Sequence, residues 1–244
     1  MPEHIVQYPS ADEAAISGLQ LNGDGPILFQ VGKLTPREYH QWVYSPRLGA
    51  PRFFQSTILE SISKTSWWYI PVIWGTVAAA CLSYMHLHRT HSVVTTGFLL
   101  LCGILGWQLT EYCIHRFLFH IEPSSYWGIT LHFTFHGCHH KWPMDSLRLV
   151  FPPVPAVPIV AGVFYTMHQL LPKEAAMCIS TGMLLGYIAY DCTHYLLHHS
   201  SSQTGILKGL KKAHMSHHYR NHDAAYGISS RLFDSLLCTS AVHS

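Results

Sequence analysis

Apolar runs dominate the middle of the chain. Four of them, at 67–85, 93–114, 154–171 and 174–193, each approach the ~20 residues an α-helix needs to cross a hydrocarbon core about 30 Å thick. They are joined in pairs by turns at 86–92 and 172–173, short enough to predict two tight helical hairpins. Between the pairs, Pro143, Pro152, Pro153, Pro155 and Pro158 forbid one continuous helix. Residues 203–222 resume as a basic helix through Lys208, Lys211 and Lys212. The fold expected is all-α and membrane-spanning: four transmembrane helices in two hairpins under a histidine-rich helical cap.

The ends read differently. Residues 1–26 are polar and contain Asn22-Gly23-Asp24-Gly25-Pro26, a composition that predicts a flexible arm, with no apolar stretch resembling a cleavable signal peptide. Residues 27–66 form an interfacial segment in which Phe29, Trp42, Val43, Tyr44, Phe53 and Phe54 are punctuated by Pro36, Pro46 and Pro51; its aromatics are expected to pack on the membrane body at headgroup depth. The membrane domain then runs over 67–237, leaving a short tail at 238–244.

Charge placement orients the bundle. With four spans, the N-terminal segment, the 115–153 loop and the C-terminus share one side and hold five, three and five of the 15 Lys and Arg, against Arg89 and Lys173 opposite. The excess of positive charge places both termini and the cap in the cytosol. Only 11% of residues are charged while 48% are hydrophobic, which points to lipid. A net charge of +2, scattered along the chain, excludes a nucleic-acid partner. Seven cysteines form no C-x-x-C pair and read as small hydrophobes in a reducing compartment.

The chemistry lies in the histidines, which fall on the expected cytosolic side in four groups: His115 and His120 in HRFLFH; His132, His136, His139 and His140 in HFTFHGCHH; His194, His198 and His199 in HYLLHH; His214, His217 and His218 in HMSHH. The H-x-x-H-H spacing of 136–140 recurs at 214–218. On a helix, i, i+3 and i+4 share a face, so each triplet can aim its rings at a common point. His115 and His120, five apart, diverge on an α-helix unless it frays or they serve different metals. Ten residues have ligand-like spacing: His115, His120, His136, His139, His140, His194, His198, His214, His217 and His218. Ten imidazoles divide into about five for each of two ions, more than zinc takes, which favours iron if the chemistry is oxidative. His132, His199 and His222 are expected to orient ligands, as are Glu111 and Asp191 through ligand ring N–H groups. His4, His40, His86, His88, His91, His168 and His243 lack ligand spacing. Such a site implies a lipid substrate and, with no nucleotide-binding signature in the chain, an external source of electrons. Trp107, Tyr112, Phe117, Phe119, Tyr187, Tyr190 and Tyr195 are available to line a dry tunnel.

The strings HRFLFH, HFTFHGCHH-KWPMDSLRLVFPP, YDCTHYLLHH and HMSHHYRNHDAAYGIS resemble the fatty acid 2-hydroxylases of the integral-membrane fatty acid hydroxylase superfamily, over about residues 27–237. The resemblance implies an endoplasmic-reticulum enzyme that uses O2 to place an (R)-hydroxyl at C2 of long or very long acyl chains of ceramide or its precursors. It implies two metal ions, iron in function and zinc in some purified material, on the ten histidines named above. Electrons would come through cytochrome b5 and its reductase, and Tyr187, Tyr190 and Asp191 would meet the substrate's polar head. Three features depart from the general pattern. The H-P-G-G signature of a fused cytochrome b5 is absent, as in plant-type members; Tyr44 stands where W-V-H-x-P is expected; and the stretch Leu232–Cys238 replaces an F-G-T ending. A sterol or alkane oxidase of the same superfamily, separable by lipid profiling, is the alternative. A non-enzymatic metal binder or transporter would need more polar groups at mid-bilayer depth than Gln108 and His168.

Overall fold

The computed structural model describes residues 21, 25–88, 91–201 and 205–241. The arm expected over 1–26 lies almost wholly outside the described residues, as do His4 and His243. Every regular element among the described residues is helical.

Three short helices open the fold: α1 (Leu28–Val31), α2 (Pro36–Val43) and α3 (Thr57–Ile62). Thr35 starts α2 with a reciprocal capping box to Glu38, and Pro36 supplies the preset φ of a first helical residue. Long apolar helices follow. α4 (Tyr69–Leu87) begins at the exposed aromatics Trp67, Trp68 and Tyr69. α5 (Val93–Cys113) runs on without a break into a π-helical turn, Ile114–Phe119. The cap is built by α6 (Tyr126–His132), a second π-turn at Phe133–Gly137, and α7 (Cys138–Lys141). Then come α8 (Pro153–Leu170), α9 (Lys173–His199), α10 (Gly205–Tyr219) and α11 (Leu232–Leu236).

Among the described residues, α4, α5 with its π-turn, and α9 are long and apolar enough to cross a membrane. The fourth expected span is present as α8 but falls outside that set: it has 18 residues, and Pro153, Pro155, Pro158, His168 and Gln169 dilute its apolar character. α5 with its π-turn and α9 are 27 residues each, about 40 Å of helix, which exceeds a ~30 Å hydrocarbon core by two turns. Their C-terminal ends carry His115, His194 and His198.

Of the two expected hairpins, the second has its arms, α8 and α9, packed on each other, whereas those of the first, α4 and α5, pack chiefly elsewhere. α9 packs against α4, α5 and α8, so the main contacts of α4 and α5 are with α9 rather than with each other. A short turn fixes where two helices meet at one end; what packs along their length is decided by side chains, and α5 and α9 each present a glycine at their contact. Gly182 faces Gly103, and a Cβ on Gly103 would stand 2.2 Å from the carbonyl oxygen of Ile179, the close backbone approach typical of helices in lipid.

The 27–66 segment finds its packing partners in the cap. Ile27, Leu28, Val31, Leu34, Tyr39, Trp42, Val43 and Phe53 form one core with Ile129, Phe133 and Cys138. The segment therefore packs on the cap. Buried Glu60 secures it by accepting the N–H groups of Phe53 and Phe54 and pairing with Arg148.

Candidate metal centre

The ten histidines selected by spacing come together as two groups of five. His115, His120, His136, His140 and His217 form one; His139, His194, His198, His214 and His218 form the other. Within each group one ring nitrogen per residue lies within 4.8 Å of all the others.

Two features of this arrangement differ from what spacing predicts. His115 and His120 converge, because the segment between them is a π-turn whose bonds join i to i+5; residues five apart return to the same side. Nor does either H-x-x-H-H triplet serve one point. His136 and His140 enter the first group while His139 enters the second, and His214 and His218 enter the second while His217 enters the first. The i and i+4 rings point one way and the i+3 ring the other. The two groups adjoin, the rings of His140 and His218 lying 4.5 Å apart.

The donor set fits metal ions. His115 and His136 are 3.2 Å apart at Nε2, His136 and His140 2.9 Å, His194 and His139 2.9 Å, and His198 and His214 2.8 Å. Nitrogens held about 2.0–2.1 Å from one ion at right angles are separated by about 2.9 Å. Tautomers argue the same way. His115 and His217 donate Nδ1–H to the carbonyls of Tyr226 (2.6 Å) and Ala224 (2.7 Å), which leaves a lone pair on each Nε2. That of His217 is buried with no hydrogen-bond partner, a position a cation would fill. Burial foremost, then repulsion between neighbouring rings, holds His120, His136, His139, His140, His214 and His218 below the ordinary imidazole range. Burial and His115 do the same for His217. Neutral rings are the ligating form.

The supporting shell departs from the sequence-based expectation. Glu111 does not meet a ligand ring; its carboxylate accepts the N–H groups of Ile228 and Ser229, both at 2.8 Å, and the Ser229 hydroxyl. Asp234, deeply buried, accepts from Tyr226 and Gly227 N–H. The two carboxylates grip the 224–230 loop whose carbonyls orient His115 and His217. Between those carbonyls Ala225 has φ 61, a left-handed conformation that disfavours alanine by about 1–2 kcal/mol, and its N–H is tied to Thr239. Asp191 accepts the N–H of Phe151 rather than a ring N–H.

His132 Nδ1 bonds Tyr39 Oη at 2.6 Å, His199 packs at a tilt on Tyr195, and His222 stacks on Tyr44; none touches either group through a ring nitrogen. His40, His86, His88, His91 and His168 stay outside both groups. Tyr187 packs with Trp74 and Trp107, and Tyr190 lies between Trp107 and His194. The other aromatics considered for a tunnel disperse: Phe117 is exposed, Phe119 stacks on His136, Tyr112 turns to Thr239, and Tyr195 stacks on Trp67. A cleft of about 400 Å³ opens instead beside His120, His132 and His222. Spacing gave no sign of Tyr44, Ala225, Asp234 or the carbonyls of 224 and 226, because backbone acceptors and loop closure leave no periodic trace.

These features define a class: an all-helical protein whose apolar helices are capped by paired five-histidine groups able to hold metal ions. The family model described as fatty acid hydroxylase matches residues 100–239. The dihydroceramide fatty acyl 2-hydroxylase FAH2 of Arabidopsis thaliana is 43% identical over 216 residues, covering 88% of this chain and 90% of that protein. The fatty acid 2-hydroxylase of Homo sapiens is 42% identical, over 86% of this chain and 61% of that one. In three dimensions the chain matches the hydroxylase domain of full-length scs7p with a TM-score of 0.86 and 32% identity, covering 97% of this chain and 91% of that one. The chain belongs to the fatty acid hydroxylase family. Its nearly end-to-end match with the plant protein agrees with the plant-type resemblance.

Proposed function

We propose that this protein is a fatty acid 2-hydroxylase acting on the long acyl chains of ceramide or its precursors, in the endoplasmic-reticulum membrane with the histidine cap in the cytosol. The observation that carries the reading is the pair of five-nitrogen groups at the ends of membrane-length helices. The relatives named for acyl 2-hydroxylation supply the reaction.

His115, His120, His136, His140 and His217 would hold one iron, and His139, His194, His198, His214 and His218 the other. The bound pair would supply the O2 activation needed to attack an unactivated C–H bond, with electrons delivered by cytochrome b5 and its reductase. The chain itself supplies position. α8 acts as the fourth span and α9 as the axis, bringing an acyl chain from the bilayer to the C-terminal ends of α5 and α9. Tyr187, Tyr190 and Asp191 lie on α9 one to two turns before His194, where the polar end of a lipid would stop. Trp74 and Trp107 close around Tyr187, and their indole N–H groups are buried without partners, free to donate to a carbonyl or hydroxyl.

The test is incorporation of isotopically heavy oxygen from O2 into 2-hydroxy ceramide by the purified protein with reductant and lipid. His136→Ala and His217→Ala should each abolish the product while the protein stays in membranes. Wild-type product formation by either variant would refute the assignment.

A further inference from the structure

Three ligand rings of the first group have their outer nitrogen engaged at Nδ1, and His120 is the odd one. His115 and His217 donate to backbone carbonyls; His120 Nδ1 meets Tyr44 Oη, 3.2 Å away. His120 is also the member of the ten that is not fully buried, at the end of the π-turn on the wall of the 400 Å³ cleft. Tyr44 covers it there. The phenol ring stacks on His222 with centroids 3.8 Å apart, lies nearly parallel to His120 at 6.0 Å, and presents an edge to His140 at 5.1 Å.

The backbone on either side of Tyr44 is fixed by one buried amino group. Lys141, which follows His140 directly, donates from Nζ to the carbonyls of Trp42 (2.8 Å) and Ser45 (2.6 Å) and to Ser45 Oγ (2.7 Å). Its own carbonyl accepts the N–H of Arg47. Residues 42–47 are thus fastened to the helix that carries His140, and the phenol reaches His120 from the C-terminal end of α2.

We propose that Tyr44 is the positioning residue for His120: by accepting Nδ1–H it keeps the Nε2 lone pair aimed into the first group, and its ring shields the ligand from the cleft. This rests on the reading that the first group holds an ion. A carbonyl can only accept, so His115 and His217 are locked in the ligating tautomer. A hydroxyl can accept or donate, so the retention of His120 depends on a side chain that substitution can change without disturbing the fold.

The experiment uses the full chain in detergent, loaded with two ions, and measures metal content per chain and the rate of loss to a chelator. Tyr44→Phe preserves the stack and removes only the hydroxyl. One of the two ions should then leave about 10–100-fold faster, the other at the wild-type rate. With cobalt in place of iron, the visible bands of one ion should shift and those of the other stay fixed. Equal wild-type rates for both ions, or equal acceleration of both, overturns the role. Should Tyr44→Phe not accumulate, Ser45→Ala removes one acceptor of Lys141, and the same selective acceleration is expected in smaller measure; unchanged rates overturn it. A wild-type chain that retains no metal overturns the functional reading and this inference together, whereas two retained ions with an inert Tyr44→Phe overturn this inference alone.

Discussion

Glu111→Ala removes the acceptor that holds the 224–230 loop to α5. The carboxylate takes two backbone N–H groups and one hydroxyl, and the Ile228 N–H has no water to turn to, since Ile228 is fully buried. An orphaned buried donor costs about 1–3 kcal/mol. Ser229 is half-buried and adds less, so the total is about 2–5 kcal/mol, or a fall of roughly 5–15 °C in melting temperature for a chain of this length. Slack in the loop also frees the carbonyls of Ala224 and Tyr226 from His217 and His115, weakening metal retention in the first group by about 10–100-fold. Glu111→Gln is the contrast. Its amide oxygen can still accept both N–H groups and its NH2 can donate to the Ser229 hydroxyl, so melting and metal retention should stay near wild type. Thermal melts in detergent and metal analysis after dialysis read both quantities. Glu111→Ala with wild-type melting and two firmly held ions would sink the clamp, as would a Glu111→Gln protein as damaged as the alanine variant.

The helix contacts and the cap make further predictions. Gly103→Ala puts a methyl 2.2 Å from the Ile179 carbonyl and 2.8 Å from Gly182 Cα; the helices must part, at about 1–3 kcal/mol. Gly97→Ala meets nothing within 4 Å and should melt at or slightly above wild type. Equal melting of the two variants would contradict the close α5–α9 approach. Burial alone would raise the Glu60 carboxyl, but the Phe54 N–H, Lys64, the Phe53 N–H and Arg148 outweigh it and bring it down to about 2. Its folded-state value lies below the unfolded one, so its contribution is complete above pH 4.5 and is lost as pH falls toward 2. Glu60→Gln should flatten that part of an acid-unfolding curve followed by tryptophan fluorescence; superimposable curves would exclude the role.

Much of this architecture is legible from residues alone. The apolar runs locate the long helices, since a lipid-exposed helix must be apolar on nearly every face, and the ten histidines stand out because no ordinary surface or core needs so many at such spacing. What escapes is whatever breaks the 3.6-residue period. The π-turn that reunites His115 and His120, and the division of each triplet between two groups, both depend on where a helix points rather than on its sequence periodicity. The central place of α9 follows from Gly103 and Gly182 meeting across two helices, a pairing that neither residue announces. Tyr44 and Asp234 act on histidines 76 residues away in one case and through a loop in the other, distances over which a single sequence carries no signal.

The crossing of ligands between groups ties the two short histidine segments to a fixed reading frame. An insertion or deletion of one residue inside either H-x-x-H-H motif would turn the following rings by about 100° and remove nitrogens from both five-histidine groups at once. Length change is therefore barred there; each five-residue motif works as a toothed key cut for two locks.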